Sequence, residues 1–212
     1  DSVVTDRNAD LIMFPNPAST SGGPVLGTPG VYPAGNAAFG DALYLDGVNA
    51  YAGLGNGSLS LDPTKVRIES WVKSDAATNG QILFDRWGQI VLYANSGGFS
   101  ALVWDQAAGA PTLTANPAGF VATDWNHVAV EVEGADLSIF VNGSLVNSST
   151  LAGGGMNATT SKTTTYIGQR YQGSNKLTGY VDEFRISTIP EPATIGLMGI
   201  AGIGIFVRRR LM

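Results

Sequence analysis

His127-Val128-Ala129-Val130-Glu131-Val132-Glu133, followed by Leu137-Ser138-Ile139-Phe140-Val141-Asn142-Gly143, is the stretch on which the fold turns. In an extended chain successive side chains point to opposite faces, so Val128, Val130 and Val132 share one side. Asn-Gly after an apolar run is a strong hairpin signal, because both central residues of a type I′ turn need positive φ. Two strands are therefore expected here, the second turning back on itself after Val141.

Working outward, the same alternation recurs. Val66 to Lys73 places Val66, Ile68, Ser70 and Val72 on one face and Arg67, Glu69, Trp71 and Lys73 on the other. Ala42 to Leu45 leads into the turn pair Asp46-Gly47. Gln81 to Phe84 and Ile90 to Tyr93 flank Trp87-Gly88, and Phe99 to Trp104, Thr164 to Gly168 and Tyr180 to Ile186 read as further strands. Asp10 to Phe14 is assigned as the first strand, and Gly22 to Gly40 reads as loop. No long stretch with helical period precedes Pro190. Many short strands at roughly 8–12-residue spacing predict an all-β, two-sheet jelly-roll sandwich.

The composition agrees. The 212 residues suit one large β domain with a small appendage, and 28 Gly and 10 Pro supply turn chemistry. Cysteine is absent, which excludes zinc ribbons, thiol catalysis and disulfide staples. The formal net charge is −5, and the tail from Pro190 carries three Arg against one Glu, so the body is more acidic than the whole. An acidic body without a basic stripe argues against nucleic acid as a partner. A chain opening at Asp1 rather than Met is expected to have lost an export signal.

Residues 190–212 have a different character. Pro190-Glu191-Pro192 is followed by an apolar run, Ala193 to Val207, that contains Gly196, Gly199 and Gly202, and then by Arg208, Arg209 and Arg210. A helix over about 193–207 spans ~22 Å, somewhat short of the ~30 Å hydrocarbon layer. Three terminal arginines snorkel to the headgroups and extend its reach. A single C-terminal transmembrane helix is therefore expected, its C-terminus cytoplasmic and residues 1–189 extracytoplasmic. Glycines at every third position leave a bare stripe for close packing against other membrane helices.

Pro-Glu-Pro, a short glycine-rich hydrophobic helix and an Arg cluster together resemble the PEP-CTERM sorting tail of Gram-negative bacteria. The resemblance implies recognition by a membrane protease-transpeptidase and export to the envelope or the extracellular polymer matrix. It also implies residence in the inner membrane by a single pass, with the main domain in the periplasm.

The body carries a second resemblance. Ala42 to Gly47, Ile68 to Lys73, Trp125-Asn126-His127-Val128-Ala129, Leu137 to Gly143, Ile167-Gly168 and Gly179 to Ile186 occur in the order found in the LamG-like, concanavalin A-like jelly-roll family. Together they cover most of residues 40–187. The chain divides accordingly into a LamG-like sandwich, 1–188, and a PEP-CTERM tail, 189–212.

Hydrolases of the wider fold carry Glu-x-Asp-x-x-Glu on one strand, where alternation keeps the carboxylates together, and this chain has no such string. A non-enzymatic module is expected. His127, the single histidine, has no Ser-His-Asp arrangement around it and is expected to be structural. The resemblance implies a structural calcium at Gly47 and Asp182, with Asp46 as a weaker ligand. For a glycan-binding face, Arg67, Glu69 and Trp71 project together, and Trp104 lies on its strand with Ser100 and Leu102. Trp71 is expected in the core, and Trp87, beside Arg86 and Gly88 in a turn, on the surface. Two functions follow. The first is an accessory subunit making protein–protein contacts in a membrane assembly. The alternative is a lectin-like module binding envelope or matrix glycans.

Overall fold

The computed structural model describes residues 41–48, 50–54, 61–107, 109–158 and 165–189, preceded by the backbone of three short strands. The strands before the long central elements are β1 (Asp6–Arg7), β2 (Asp10–Ile12), β3 (Val25–Pro29), β4 (Asp41–Asp46) and β5 (Ala52–Leu54). They are followed by β6 (Lys65–Ser74), β7 (Gln81–Arg86), β8 (Ile90–Asn95), β9 (Gly98–Val103) and β10 (Thr112–Ala115). The chain continues through β11 (Asn126–Glu133), β12 (Asp136–Val141), β13 (Ser144–Thr150), β14 (Thr165–Ile167) and β15 (Thr178–Thr188). The expected transmembrane helix, Pro190-Glu191-Pro192, the tail glycines and Arg208 to Arg210 lie outside the described residues. Among the described residues no helix is long and apolar enough to cross a membrane.

Two antiparallel sheets form the sandwich. Sheet A runs β1-β2-β15-β6-β11-β12-β13, with β4 also on β15 and β3 on β4. Sheet B runs β10-β9-β8-β7-β14-β5. Alternation decides what each sheet turns inward. On β6 every second residue is buried, and Val66, Ile68 and Val72 enter the core. Val128, Val130 and Val132 of β11 and Leu137, Ile139 and Val141 of β12 join them. Sheet B answers with Leu83, Phe84, Ile90, Leu92, Phe99, Ala101 and Val103. Each such side chain contributes about 1.5–3 kcal/mol through burial. Phe84 of β7 and Phe184 of β15 stack across the gap, ring centroids 5.5 Å apart, and so join the two sheets directly.

β15 is the longest strand and lies in the middle of sheet A. One side pairs with β6, while the other pairs with β4 at Thr178 to Val181 and with β2 at Arg185 and Ile186. The change of partner coincides with a bulge between Asp182 and Arg185, where Glu183 adopts φ +51°. A bulge takes carbonyls out of the ladder. The Ser70 hydroxyl, buried on the inner face of β6, donates to the Asp182 carbonyl at 2.9 Å. At the start of the strand a Cβ on Gly179 (φ +147°) would lie 2.1 Å from the Lys73 carbonyl oxygen, so only glycine lets β6 and β15 approach this closely.

The strands with clean alternation appear where expected, each within a few residues. The first expected strand, Asp10 to Phe14, corresponds to β2. Gly22 to Gly40 is not loop throughout, because β3 lies within it. Gly27 and Pro29 mask its strand character, and its register against β4 shifts, as edge strands tolerate. β13 went unread because Ser144 to Thr150 is exposed at every position but Val146 and has no buried face to pattern it. This edge is fastened by Asn147, whose Nδ2 donates to the Thr114 carbonyl of β10 at 2.8 Å, linking the margins of the two sheets.

Truncating the inter-sheet stack tests this account. Phe84→Ala is expected to destabilise the fold by about 3–5 kcal/mol. Leu145→Ser, at a side chain 57% exposed, should change stability by less than ~0.5 kcal/mol. Urea unfolding of both variants measures the contrast.

Candidate functional site

The outer face of sheet A collects the polar and aromatic half of each alternating strand. Trp71 stands opposite His127 of β11 on one side and Asp182 of β15 on the other. Its ring meets the imidazole edge-on with centroids 5.3 Å apart. Trp71, Trp125, His127, Asn142 and Gly143 line an open groove of about 590 Å³. The Asn142-Gly143 turn forms one wall because both residues adopt positive φ, 51° and 78°. The Asn142 amide locks that wall, accepting the His127 backbone N–H at 2.9 Å and donating to Asn126 Oδ1 at 3.1 Å.

From the groove the aromatic surface continues across the sheet. Trp125 is 6.1 Å from Tyr180, and Tyr180 is 4.9 Å from Tyr44. Lys73 sits over the Tyr180 ring at 5.8 Å, and the Tyr44 hydroxyl donates to Asp75 at 3.0 Å. Aromatic rings with polar groups at their margins suit a ligand that is flat and apolar on its faces and hydroxylated at its edges.

Arg67 and Glu69, expected to contact a ligand, are occupied with each other. The Arg67 Nε donates to Glu69 Oε2 at 2.7 Å, and the same guanidinium binds Glu131. Glu69 also lies 3.6 Å from His127 Nε2 and 3.8 Å from Arg185. This network borders the groove and positions His127. Burial holds the His127 imidazole below its ordinary pKa, with Glu69 acting upward and Arg67 downward. Glu183, in the bulge beside Trp71, has its carboxyl pushed up by burial and by the neighbouring Asp182.

Trp71 is not in the core. It shares the outward side of β6 with Arg67 and Glu69, since a two-residue period cannot place it elsewhere while Ile68 and Val72 face inward. The five residues expected to form one ligand face are divided between the two sheets. Trp87 and Trp104 belong to sheet B, where Trp87 in the β7–β8 turn packs edge-on against Trp104 at 4.6 Å and against Tyr171 at 5.0 Å. Trp87 is half-buried, because this cluster and Arg170 cover it.

The implied calcium ligands are not brought together. Register places Asp46 opposite Thr178, and Asp182 four residues further along β15, about 13 Å away at ~3.3 Å per residue. Asp46 Oδ1 instead accepts the backbone N–H groups of Val48 and Ala50, both at 2.8 Å, and so shapes the turn at Gly47. Asp182 Oδ1 accepts the Glu183 N–H at 2.9 Å in the bulge. Among the described residues no group of three or more His, Cys, Asp or Glu side chains could hold a metal ion.

A two-sheet antiparallel sandwich with an open aromatic groove on one sheet is the frame in which the family comparison falls. A model of the concanavalin A-like lectin/glucanases superfamily matches residues 46–192, more than half of the chain. The chain belongs to this superfamily. A PEP-CTERM protein-sorting motif matches residues 188–210 and marks this superfamily member for sorting out of the cytoplasm with a membrane-anchored C-terminus. Comparison with curated proteins gives no match.

Among solved structures, the superfamily fold is shared with the botulinum neurotoxin serotype G binding domain, at TM-score 0.56 and 14% identity over 74% of this chain and 42% of that one. The serotype D binding domain gives TM-score 0.55 and 14% identity over 72% and 40% of the two chains. The binding domain of Paraclostridial Mosquitocidal Protein 1 gives TM-score 0.55 and 13% identity over 73% and 42%. The chain thus spans about two fifths of the length of these structures. At such identities the likeness is one of fold.

Sequence reasoning passed over Tyr44, Tyr180 and Arg170. Tyr44 and Tyr180 sit at outward positions of strands that were recognised, so alternation could have found them. Arg170 lies in a loop without periodicity, and no local signal points to it.

Because His127 is the single histidine, its titration is directly visible by NMR. Its midpoint is expected below the ordinary value of about 6.5. Folding then favours the neutral imidazole, so stability falls as pH drops below about 6.5 towards that midpoint. Replacing Glu69 by Gln removes the carboxylate that favours imidazolium and should lower the midpoint further.

Proposed function

We propose that this domain is a non-catalytic carbohydrate-binding module that acts outside the cytoplasm and holds glycan chains along the aromatic strip of sheet A. The observation that carries this reading is the groove of Trp71, Trp125 and His127, continued by Tyr180 and Tyr44 on one exposed face. Sugar rings present flat C–H faces that stack on indole and phenol rings. Hydroxyls at the ring edge find the polar atoms of Lys73, Asp75 and Asn142. An extended strip, rather than a closed pocket, fits a polymer better than a small free ligand.

The charges beside the groove support binding without hydrolysis. Sugar hydrolysis uses one carboxyl as proton donor and a second on the other side of the bond. Glu69 and Glu131 both direct oxygens at Arg67, which leaves the pair committed to a structural network.

The sorting motif supports a location outside the cytoplasm. In this reading the tail crosses the inner membrane once with its arginines inside, and the sandwich faces envelope or matrix polysaccharide. An accessory-subunit role in a membrane assembly would rest on packing of the tail helix, residues outside those described, and no described surface favours it over glycan binding.

Binding of full-length protein in mild detergent to neutral polysaccharides (β-glucan, xylan and galactomannan) tests the proposal by affinity electrophoresis. At least one should retard the protein. Trp71→Ala is expected to weaken that interaction at least tenfold, while Leu145→Ser leaves it unchanged. Retardation by none of the three, or equal retardation of the Trp71→Ala variant, would remove the sheet A strip as a glycan site.

A further inference from the structure

On the opposite sheet, the loop that follows β14 builds a second surface of different chemistry. Arg170 lies with its guanidinium carbon 4.2 Å from the centroid of the Trp87 ring and 5.9 Å from that of Tyr171. Trp104 abuts Trp87 and completes the cluster. The loop is held firmly. The Arg170 N–H donates to the Ser174 carbonyl at 3.0 Å, the Gly173 N–H to the Arg170 carbonyl at 2.8 Å, and the Leu177 N–H to the Gly168 carbonyl at 2.8 Å. Asp85, fully buried on β7, anchors it from below by accepting the Tyr171 N–H at 2.8 Å.

Arg170 differs from Arg67 and Arg185. Arg67 and Arg185 both have carboxylates within ion-pair distance, whereas Arg170 has none among the described residues. Stacking on Trp87 orients the plane of the guanidinium without using its N–H donors. Its Nε and the Oδ1 of Asp85 are both buried without a hydrogen-bond partner among the described residues. Desolvated polar groups left in this state are costly, and a function at the site is one explanation for keeping them. Asp85 acts on the cation without closing an ion pair: it spends Oδ2 on the Tyr171 N–H, and burial pushes its carboxyl above the ordinary range while that hydrogen bond and the nearby Arg170 charge pull it back.

We propose that Arg170, with Trp87, Trp104 and Tyr171, forms a second carbohydrate site that takes acidic sugar residues of the uronate class. A planar guanidinium whose outer nitrogens meet no acceptor among the described residues matches a carboxylate in two parallel hydrogen bonds, a geometry that an ammonium cannot offer. The surrounding rings supply the stacking surface for the sugar that carries the carboxylate. In a chain of net charge −5 an acidic polymer is repelled by the body as a whole, so its capture needs a locally oriented cation such as Arg170. The site lies on sheet B and goes beyond the neutral-glycan reading of sheet A, so either can fail alone.

Isothermal titration of the full-length protein in mild detergent with oligogalacturonate, and with the same oligomer methyl-esterified, tests the proposal. The acid form is expected to bind at least tenfold more tightly than the ester. Its affinity should fall as NaCl rises from 50 to about 500 mM. Arg170→Gln should reduce acid binding at least tenfold, and Arg170→Lys should recover only part of it because the fork is lost. Neither change should affect neutral polysaccharide binding, which also reports that the variants are folded. Equal affinity of wild-type protein for acid and ester overturns the proposal without recourse to any variant. So does full acid binding by Arg170→Gln.

Discussion

The pairing of β15 with β6 is the constraint on which the rest of the sandwich depends. β15 belongs to the last part of the body to be made, yet it lies at the centre of sheet A, with β6 and β11 on one flank and β4 and β2 on the other. Neither N-terminal strand can find its place in the sheet until this late segment has docked. Such long-range pairing makes folding slow, since loop closure is required before any contact rewards it. Gly179 and the Ser70–Asp182 hydrogen bond secure the pairing at the two points where side chains or the bulge would otherwise obstruct it.

The same constraint organises the outer surface. With β6 central, whatever alternates outward on it becomes the middle of a face, and Trp71 occupies that position. Its neighbours on β11 and β15 then decide the character of the face: His127 on one side, Asp182 and the bulged Glu183 on the other. Arg67, Glu69 and Glu131 fill the region further along as a self-satisfied network. Charge is thereby concentrated in mutual pairs and the aromatic rings are left available. On sheet B the order is reversed, because Arg170, which has no carboxylate within ion-pair distance among the described residues, is displayed on Trp87.

Legibility in the sequence followed the physical basis of each feature. β6, β11 and β12 were readable because one side faces the core and the other water, which writes a two-residue period. β13 faces water on both sides and β3 contains Gly27 and Pro29, so neither carries that pattern. Trp71 shows the same lesson in the opposite sense. Its place in the alternation was correct, and the general preference of tryptophan for burial pointed the wrong way. The separation of Trp87 and Trp104 from Trp71 follows from sheet assignment, which depends on long-range pairing and leaves no local trace. Arg170 and Asp85 meet through a loop closure of the same kind.

The position of β15 has a mechanical meaning as well. The sorting motif begins at residue 188, the last residue of this strand, so any tension transmitted from a membrane-held tail enters the sandwich along the axis of β15. Antiparallel ladder bonds run perpendicular to their strands. A pull along β15 therefore loads the bonds to β6, β4 and β2 in shear, and many must yield together. Had the tail been joined to an edge such as β13, the same pull could have peeled bonds away one after another. The strand that completes the sheet is also the one best placed to bear a load passed between the tail and the sandwich.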